Sequence, residues 1–502
     1  MDGEAVTMVH VMRMLCIHVI AVLLIPAVTL ADQEAHVIPF PKSCELSGGN
    51  LTLKAGVPII ATDKSLIPPA TVAVDDIRLL FGTKAHVAQG RAAAGAIVLR
   101  IDKRLRTESY RIEVNDRVLI RGGSYKGIVW GLVTLLQSAT GNGDAITIPH
   151  MTVADEPSSP YRGVLIDLAR QWHPIATVKQ VVVLCHWYKI GYLQLHLTDD
   201  QSWTFPSTAY PKLATPGRQY TLAELRDLEA FAAARGVTIV PEIEMPGHSG
   251  SPVAAIPEIV GHDPLSGNTM CPGRESTYEF LDTLIGEVCS VFKSTPYFHI
   301  GADEVDKGAW AGCKYCNVYR KQNDIADEDE LYRHFIVRMN KIVKKHHKKI
   351  IVWEGFRVEG KIAIPKDITV MEFECAYELP QNLVKAGYTV INTSWQPLYV
   401  VNSRNWSPEQ ILAWNMYRWE NFGDWSKAYP NGIDVSPTPL IIGAQMCAWE
   451  QPAEVEIPSL RERVPAISER VWDHKTQREY ADFSKRLAGT DAELTKLLSG
   501  ID

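Results

Sequence analysis

Two adjacent carboxylates, Asp303 and Glu304, directly follow an apolar stretch of the sequence, residues 297–301. Carboxyl groups can give and take protons at a glycosidic bond, and the usual retaining glycosidase holds two of them ~5–5.5 Å apart on opposite sides of that bond. Neighbours on one strand approach a sugar from the same side. If the pair belongs to a glycosidase, a second carboxylate comes from another strand, or the substrate supplies the nucleophile.

Further polar and tryptophan side chains lie beside or after other short apolar runs. They are Arg162 beside the first run, Asp199 and Asp200 after the second, Glu242, Glu244 and His248 after the third, Trp353 and Glu354 after the fifth, and Trp449 and Glu450 after the eighth. A single surface carboxylate is usually only hydrated and is no evidence of a functional site. Repeated placement of this kind predicts that these positions meet at one functional site.

Eight apolar runs alternate with longer helical segments through residues 156–480. The runs cover 163–168, 192–197, 237–243, 297–300, 350–353, 368–373, 388–391 and 440–446, and the helical candidates between them include 177–188, 222–234, 278–292 and 330–345. This alternation is typical of a (β/α)8 barrel, whose functional side chains lie at the carboxyl ends of its strands. The sequence therefore predicts an α/β fold of the TIM-barrel type.

A smaller unit precedes the predicted barrel. Residues 32–155 contain short β-like runs, such as 96–100 and 110–114, and include an apolar helical stretch at 125–136. Strands and helices mixed in this way predict a small α+β domain, with the linker at 154–160. The predicted boundaries are 32–155 for this domain, 156–480 for the catalytic barrel and 481–502 for a C-terminal tail.

The amino terminus has the pattern of a secretory signal. Residues 15–30 are apolar, and Thr29, Leu30 and Ala31 form a small-residue cleavage pattern before polar residues. We expect residues 1–31 to be a signal peptide and the protein to be exported, periplasmic or secreted, without stable membrane insertion after cleavage. An uncleaved membrane anchor is the alternative, although the run is short for a membrane span.

Composition limits the range of partners. The 502 residues carry a formal net charge of −7, which argues against a nucleic-acid partner because no basic footprint is visible. Cys313 and Cys316 form a single CxxC. A metal site is only weakly indicated, because no second half follows at zinc-finger spacing, and a local disulfide is also compatible with an oxidising compartment. We therefore predict no metal and no cofactor, while the oligomeric state stays open.

Several segments, in order along the chain, resemble motifs of the family 20 β-N-acetylhexosaminidases. These are Tyr161-Arg-Gly163, His196-Leu-Thr-Asp-Asp-Gln201, Pro241-Glu-Ile-Glu-Met-Pro-Gly-His248 and His299-Ile-Gly-Ala-Asp-Glu304, with Ser468-Glu-Arg-Val-Trp472 similar to the family's final barrel helix. The likeness covers residues 155–475, and the preceding segment is similar to the family's small N-terminal domain. It implies a retaining exo-glycosidase that removes terminal, non-reducing β-linked GlcNAc or GalNAc from glycans by substrate-assisted catalysis.

The resemblance implies a catalytic role for five residues. Glu304 would protonate the glycosidic oxygen and later deprotonate the incoming water. Asp303 would orient the acetamido N–H and stabilise the oxazolinium intermediate, and Tyr399 would hold the acetamido oxygen. Asp199 and His248 would form a hydrogen-bonded chain to Glu304 that tunes its pKa towards the working pH.

The resemblance also implies contacts with the substrate sugar. Arg162 would donate to hydroxyls O3 and O4, and Trp353 and Trp449 would form the walls of the acetamido pocket. The family usually has another pocket tryptophan near the sixth strand, where this chain has Phe373. Trp395 is the candidate for filling that space.

Departures from the family pattern fall mainly at the end of the pocket that would bind O4 and O6. Some members place an acid two residues after the tyrosine, where this chain has Val401, and some have Trp-x-Glu at the eighth strand, where Gln451 follows Glu450. Glu450 is the predicted substitute, and we hypothesise altered discrimination between gluco and galacto sugars or tolerance of a 6-substituent. Ala302 and Glu244 are lesser departures, from Gly and Asp.

Two other functions stay open on the sequence alone. Another barrel glycosidase would use an independent carboxylate nucleophile, such as Glu242, Glu244 or Glu354, and would hydrolyse a glycoside without the 2-acetamido group. A non-catalytic carbohydrate-binding protein would use the same aromatic cleft. The presence of both Asp303 and Glu304 argues against this second alternative.

Overall fold

Residues 43–155 form a mixed sheet that precedes the barrel. The computed structural model describes residues 36–90, 94–265 and 267–501, so the predicted signal peptide at 1–31 lies outside the described residues. The strands are β1 Ser43–Lys54, β2 Val57–Ala61, β3 Ala85–Ala88, β4 Ile97–Ile101, β5 Tyr110–Val114, β6 Val118–Gly122, β7 Thr140–Gly141 and β8 Ala145–Asp155. Their order is β1-β8-β5-β6-β4-β2-β3, with β7 paired to β8.

Two helices, α1 Ile67–Phe81 and α2 Tyr125–Gln137, accompany this sheet. All residues of α2 from Gly127 to Gln137 are buried, because an apolar helix of this kind needs partners on every side. On one side Gly131 lies against Ile120 of the sheet, and on another Val129 and Trp130 contact Gly236 of the barrel. The α+β domain predicted before the barrel is therefore present, and α2 packs between it and the barrel.

The remaining strands include a closed barrel of eight parallel strands. The strands that follow β8 are β9 Tyr161–Asp167, β10 Tyr192–His196, β11 Thr238–Glu242, β12 Tyr297–His299, β13 Lys349–Trp353, β14 Thr369–Glu372, β15 Thr389–Asn392, β16 Tyr399–Val400, β17 Arg418–Trp419, β18 Ile433–Asp434 and β19 Ile441–Ala448. Strands β9 to β15 pair in sequence, and β19 pairs with both β15 and β9 to close the barrel. The predicted TIM-barrel fold is confirmed.

Each of the eight predicted apolar runs overlaps one barrel strand. Every residue of β9 is buried, as expected for strands that face side chains inside the barrel and helices outside it. The helices are α3 Ile175–Trp187, α4 Leu222–Ala234, α5 Gly250–Ala255, α6 Pro257–Val260, α7 Glu275–Val291, α8 Gly308–Ala311, α9 Lys314–Gln322, α10 Glu328–Lys345, α11 Pro380–Lys385, α12 Trp395–Leu398, α13 Pro408–Ala413, α14 Ala453–Trp472 and α15 Tyr480–Leu498.

Residues 481–502, expected to be a tail, lie mostly within α15, which packs against the rest of the protein. Trp187 of α3 donates from Nε1 to the carbonyl of Thr490 (3.0 Å), and Arg486 donates to the carbonyl of Val37 (2.7 Å). The helix therefore connects the barrel with the start of the described chain. Among the described residues, the helices are all too short or too polar to cross a membrane.

Candidate active site

The loop after β12 carries Asp303 and Glu304 at the carboxyl end of the barrel. Its backbone has positive φ angles at Gly301 (64°), Ala302 (77°) and Glu304 (45°). Side chains rarely accept this left-handed conformation unless the surrounding structure enforces it. A Cβ at Gly301 would lie 1.8 Å from a carboxylate oxygen of Glu244, so the loop passes this side chain only because residue 301 is glycine.

The same strained backbone recurs at other strand ends. His248 after β11 (46°), Cys375 after β14 (54°) and Glu450 after β19 (56°) also have positive φ angles. Such strain often gathers at functional sites, and barrel enzymes place their sites at the carboxyl ends of strands. The strained residues and the barrel fold therefore both indicate a functional site at the carboxyl ends of the strands.

A chain of carboxylates and imidazoles leads from the barrel interior to Glu304. His196 donates from Nδ1 to Glu242 (2.8 Å) and from Nε2 to Asp199 (2.9 Å), so this imidazole carries both protons. His248 Nδ1 lies 3.5 Å from Asp199 Oδ1, and its Nε2 lies 3.4 Å from Glu304 Oε2. The structure thus brings together Asp199, His248 and Glu304, and adds His196 and Glu242, which sequence reasoning did not assign to the chain.

The charges of this chain set the pKa values at its outer end. Although burial opposes a charged imidazole, the nearby carboxylates of Asp199, Asp200 and Glu304 hold the pKa of His248 well above its ordinary value. The adjacent His248 lowers the pKa of Glu304 in turn. Burial raises the pKa of Asp303 to about 6, and the charge of Glu304 adds to the effect. Before a substrate binds, Asp303 is therefore the member of the pair with the raised pKa.

Asp303 presents a buried oxygen that lacks a donor. Its Oδ2 lies 3.8 Å from His248 Nε2, whereas its Oδ1 is buried without a hydrogen-bond partner among the described residues. Nearly all buried polar atoms in proteins are hydrogen-bonded, so each exception needs an explanation. A ligand N–H group is a donor that would satisfy this oxygen.

Aromatic rings form a box at the carboxyl ends of β13, β14 and β19. The Trp353 ring centre lies 5.7 Å from that of Phe373 and 6.0 Å from that of Trp449. Tyr399 packs against Trp395 (4.4 Å) and lies parallel to Phe373 (6.2 Å). We call these five residues the aromatic box. It contains all three predicted tryptophans, together with Tyr399 and Phe373.

The aromatic box lies beside the acidic pair. Burial raises the pKa of Tyr399 well above its ordinary value, and the charges of Glu374 and Asp303 contribute. The Trp449 ring centre lies 5.0 Å from that of His196, and the Trp353 ring centre lies 5.0 Å from that of His299, so the aromatic box borders the charged side chains at the strand ends. The cleft therefore has a carboxylate side and an aromatic side.

Glu242 is fully engaged in hydrogen bonds inside the barrel. Its Oε2 accepts from Gln194 (2.9 Å) and His196, and its Oε1 accepts from Trp353 Nε1 (2.6 Å). Although burial opposes ionisation, His299 and His196 hold the pKa of Glu242 well below its ordinary value. This carboxylate is a fixed anion that orients the Trp353 ring.

The other carboxylates proposed as independent nucleophiles also have structural contacts. Glu244 is buried against Gly301, and burial together with the charge of Asp303 raises its pKa well above the ordinary value. Glu354 is buried and accepts hydrogen bonds from two backbone N–H groups of the loop after β14. Both are placed to support loops of the site, and their burial leaves a sugar no access to them.

The prediction that Arg162 binds the sugar was wrong. Arg162 is the second residue of β9, so it lies at the amino end of the barrel, away from the carboxylates. Its buried guanidinium pairs with Glu108 of the N-terminal domain (2.6 Å) and donates to the carbonyls of Ser159 (2.8 Å) and Lys189 (3.1 Å). A fully buried and saturated cation has no contact left for a substrate.

Arg170, at the carboxyl end of the same strand, is the arginine that reaches the cleft. One guanidinium nitrogen lies 2.7 Å from Asp199 Oδ2, and Nε lies 3.7 Å from Glu450 Oε1. The guanidinium also lies 5.2 Å from the centre of the Trp449 ring. Sequence reasoning missed this residue, although its position just after the first apolar run, three residues beyond Asp167, was a signal.

The two residues after Trp449 are placed differently. The Glu450 side chain is 58% exposed and approaches Arg170 at the cleft. Gln451 is buried and donates to the carbonyl of Trp449 (3.0 Å). Glu450 is therefore the acid available at this end of the cleft.

Glu374 is a further acid of the cleft that sequence reasoning missed. Burial raises its pKa to about 7, and the charges of Glu304 and Glu354 add to the effect. The residue directly follows the sixth apolar run, so the rule that identified the other sites also applied here.

The sequence of the chain was compared with family models and with curated proteins. Residues 159–475 match the model of the glycosyl hydrolase family 20 catalytic domain, and residues 34–156 match domain 2 of the same family. A β-hexosaminidase of Porphyromonas gingivalis is 27% identical over 91% of this chain. The chain spans 63% of the length of that relative. A β-N-acetylhexosaminidase of Cellulomonas fimi is 27% identical, with 91% of this chain and 93% of the relative covered.

Solved structures show the same fold. The chitobiase of Flavobacterium johnsoniae is 25% identical and superposes with a TM-score of 0.78, covering 93% of this chain and 73% of its own. The β-N-acetylhexosaminidase of Bacteroides fragilis is 22% identical, with a TM-score of 0.76 and coverage of 91% and 94%. The second likeness carries the fold alone.

Proposed function

Because the chain belongs to glycosyl hydrolase family 20, we propose that it removes terminal, non-reducing β-linked N-acetylhexosamine from glycans. The observation that carries this proposal is the cleft itself, in which two adjacent carboxylates lie on one side and the aromatic box on the other. The substrate supplies the nucleophile that the protein lacks, through the carbonyl oxygen of its 2-acetamido group.

The first chemical step forms an oxazolinium ion. Glu304 gives its proton to the glycosidic oxygen while the acetamido carbonyl oxygen bonds to C1 and the bond from C1 to the leaving oxygen breaks. The positive charge that develops spreads over the acetamido group. Asp303, whose buried Oδ1 has no donor among the described residues, accepts from the amide N–H and stabilises that charge.

The second step regenerates the protein. Glu304, now ionised, takes a proton from water, and the water oxygen bonds to C1 as the oxazolinium ring opens. Two inversions at C1 give overall retention of the β configuration. The aromatic box excludes other water from the ring, and the hydroxyl of Tyr399 holds the acetamido oxygen.

The proton on Glu304 depends on the substrate. His248 lowers the pKa of Glu304, but 54% of this side chain is exposed. A sugar in the cleft displaces water from the carboxyl, and loss of solvation raises the pKa of a carboxyl group. Binding therefore prepares the acid that the first step needs, while Asp199 and His248 limit the size of the increase.

Arg170 replaces Arg162 as the proposed donor to the sugar hydroxyls O3 and O4. It contacts Asp199 and stacks on Trp449, so its position is fixed relative to both sides of the cleft. A planar guanidinium can donate to two vicinal oxygens at once. Glu450, beside it, would accept from the same end of the sugar.

The rival with an independent carboxylate nucleophile lacks a suitable residue among those named for it. Glu242 is engaged by several donors, and Glu244 and Glu354 are buried against loops. A purely carbohydrate-binding protein would have no need of the charged chain from Glu242 to Glu304. The strained backbone at Glu304 and His248 also argues for chemistry over binding alone.

A leaving-group comparison tests the role of Glu304. In Glu304→Gln, kcat/KM for phenyl β-N-acetylglucosaminide should fall by about 10²–10⁴-fold, the usual contribution of a general acid. The loss should be much smaller for the 2,4-dinitrophenyl glycoside, because that group departs without a proton. The matched control is Glu359→Gln, which makes the same change at an exposed glutamate. Equal losses with both leaving groups, or an equal loss in the control, would refute the assignment.

A proposal on specificity follows from the end of the cleft near Glu450. Val401 offers no polar atom at a position where some family members have an acid, and the short turn that follows brings Arg404 onto the ring of Phe422 (3.6 Å). Phe422 in turn packs against Trp395 of the aromatic box. A cation in place of an acid at this rim favours a negatively charged substituent on O6.

Three aryl glycosides, of GlcNAc, GalNAc and 6-sulfated GlcNAc, measure this specificity. We expect turnover of the 6-sulfated substrate by the natural protein and a selective loss of that activity in Arg404→Ala, with GlcNAc hydrolysis unchanged. Ordinary GlcNAc preference with rejection of the sulfated substrate would count against the proposal. Glu450→Gln should alter the ratio of GlcNAc to GalNAc activity.

Export is proposed from the sequence of residues 1–31 alone. The proposal predicts that the mature protein begins close to Asp32, which mass spectrometry of the protein from its natural source would show. An intact amino terminus on membrane-bound protein would support the alternative of an uncleaved anchor.

A further inference from the structure

Four buried side chains of metal-binding type meet outside the cleft, where two loops approach the first turn of α9. They are His262, Cys271, Cys313 and Cys316, and one donor atom of each lies within 4.8 Å of the others. The CxxC alone indicated a metal site only weakly, because the other two residues are distant in sequence. We propose that these four residues bind one zinc ion, independently of the reaction in the cleft.

The sulfur positions fit a shared ion better than a disulfide. Cys271 Sγ lies 3.6 Å from Cys313 Sγ and 3.5 Å from Cys316 Sγ. Sulfurs around a tetrahedral zinc ion, with zinc–sulfur bonds of about 2.3 Å, lie about 3.8 Å apart. A disulfide would join only two of these sulfurs, at about 2.05 Å, and would leave the third buried thiol without a role.

His262 supplies the fourth donor. Its Nε2 lies 2.6 Å from the carbonyl oxygen of Thr269, so the ring proton belongs on Nε2. Nδ1 then carries a lone pair, and this buried atom has no hydrogen-bond partner among the described residues. A histidine held by a carbonyl through one nitrogen, with the other nitrogen unprotonated, is the usual arrangement of a zinc ligand.

Backbone N–H groups lie beside two sulfurs of the cluster, where they would donate to a metal-bound thiolate. The N–H of Gly273 hydrogen-bonds to Cys271, and the N–H of Cys316 hydrogen-bonds to Cys313. Backbone donors of this kind stabilise a negative sulfur. A Cβ at Gly273 would lie 2.5 Å from the backbone nitrogen of Cys316, so glycine permits the turn to approach α9 this closely.

The proposed ion would join two loops of the active site. His262 and Cys271 belong to the segment between β11 and α7, which also carries His248. The other two ligands belong to the segment after β12, which also carries Glu304. Three thiolates and one imidazole form a closed set that leaves no position for a substrate, so the role of the ion is structural. Binding would release the thiol protons and add stability to the folded state.

Metal analysis of the full-length protein tests the proposal. The protein is purified without reductant or chelator, its zinc content is measured by mass spectrometry, and its cysteines are alkylated after unfolding in chelator without reductant. We expect about one zinc ion per chain, with Cys271, Cys313 and Cys316 all alkylated. Cys316→Ser and His262→Ala should lose the zinc, whereas Cys289→Ser, which changes a cysteine outside the cluster, should keep it.

Two results would overturn the proposal. One is a protein without bound zinc that also fails to take up zinc or Co²⁺ after reduction. The other is zinc that persists in both cluster variants. If a variant does not fold, Co²⁺ uptake by the natural protein decides instead, since three thiolates and one imidazole give strong visible absorption and an oxygen-rich surface site does not. Chelation should also lower the melting temperature of the natural protein but not that of folded His262→Ala.

Discussion

Environment gives two adjacent carboxyl groups different tasks. Asp303 is enclosed, and burial raises its pKa to about 6, whereas Glu304 is half exposed and its Oε2 lies 3.4 Å from Nε2 of cationic His248. The enclosed group can stabilise a positive charge without competition from water, and the exposed one can exchange protons with the leaving group and with water. The tasks of the two residues differ because His248 lies nearer to Glu304 than to Asp303.

The raised pKa of Asp303 predicts an acid limb in the pH profile. Asp303 must be ionised to accept from the acetamido N–H, so kcat/KM should fall about tenfold per pH unit below about pH 6. The 2,4-dinitrophenyl substrate is used, because its leaving group does not need a protonated Glu304. The residual activity of Asp303→Asn should lack this limb. Activity that stays constant down to about pH 4 would contradict the assignment.

The strained backbone at Ala302 predicts a stabilising substitution. Ala302 has a φ of 77°, and Ala302→Gly should raise the free energy of unfolding by up to about 1 kcal/mol because glycine accepts that angle without strain. Urea unfolding measures the change. The control Ala232→Gly, at a buried position in the last turn of α4, should lower the same quantity by about 1 kcal/mol. Equal destabilisation by both changes would show that Ala302 is not strained.

The strands act as a frame because their ends are joined through side chains. Glu242 of β11 links Gln194 and His196 of β10 to Trp353 of β13. The buried Glu242 carboxylate therefore holds two groups in place. One is His196, at the start of the charged chain to Glu304, and the other is the ring of Trp353 in the aromatic box. Placement of the catalytic groups is a property of these joined strand ends more than of any single loop.

Removal of the Glu242 charge should weaken the placement of both His196 and Trp353. In Glu242→Gln an amide N–H₂ would face N–H donors and His196 would lose one of its two buried counter-ions, so the free energy of unfolding should fall by roughly 3 kcal/mol. Chemical unfolding with the exposed Glu359→Gln as control measures this. A parallel fall in kcat/KM is expected from a loosened Trp353. A stability equal to that of the control would mean that Glu242 is not ionised.

The order of strands and helices was predictable because each barrel strand is a short buried apolar run. The acidic pair, His248, Asp199 and the tryptophans were also predictable, since they follow such runs or match family motifs. Arg162 was assigned wrongly because residue type was weighed without its place along the strand, and Arg170 was missed for the same reason. Contacts between distant loops, such as His262 with Cys316, leave no periodic signal in a sequence.

At the scale of the whole molecule, the N-terminal domain and the barrel share a polar, buried interface. Arg162 pairs with Glu108 there, and Lys189 donates to Thr134 (2.6 Å) and Tyr110 (3.0 Å). Burial lowers the pKa of Lys189 to about 8. Such saturated contacts fix the two domains in one orientation, far from the cleft, and they give Arg162 a structural role.

The two arginines should therefore give opposite results when they are replaced. Arg162→Met removes the cation beside Glu108 and the donor to the carbonyls of Ser159 and Lys189, so the free energy of unfolding should fall by roughly 3 kcal/mol while kcat/KM of the folded protein stays unchanged. Arg170→Met should lower kcat/KM by about 10²-fold through loss of sugar orientation, with a smaller effect on stability. Urea unfolding and steady-state kinetics on both variants test this. The reverse pattern would restore Arg162 as the sugar ligand.

The most direct test of substrate-assisted catalysis changes only the substrate's acyl group. It measures kcat/KM for aryl β-glucosaminides that carry N-acetyl, N-fluoroacetyl, N-difluoroacetyl or N-trifluoroacetyl groups, with the matched 2-hydroxy glucoside as reference. Each fluorine withdraws electrons from the carbonyl oxygen. The account predicts a steep stepwise fall along the series and no measurable hydrolysis of the glucoside. A flat series, or a glucoside hydrolysed at a similar rate, would mean that a protein carboxylate attacks C1.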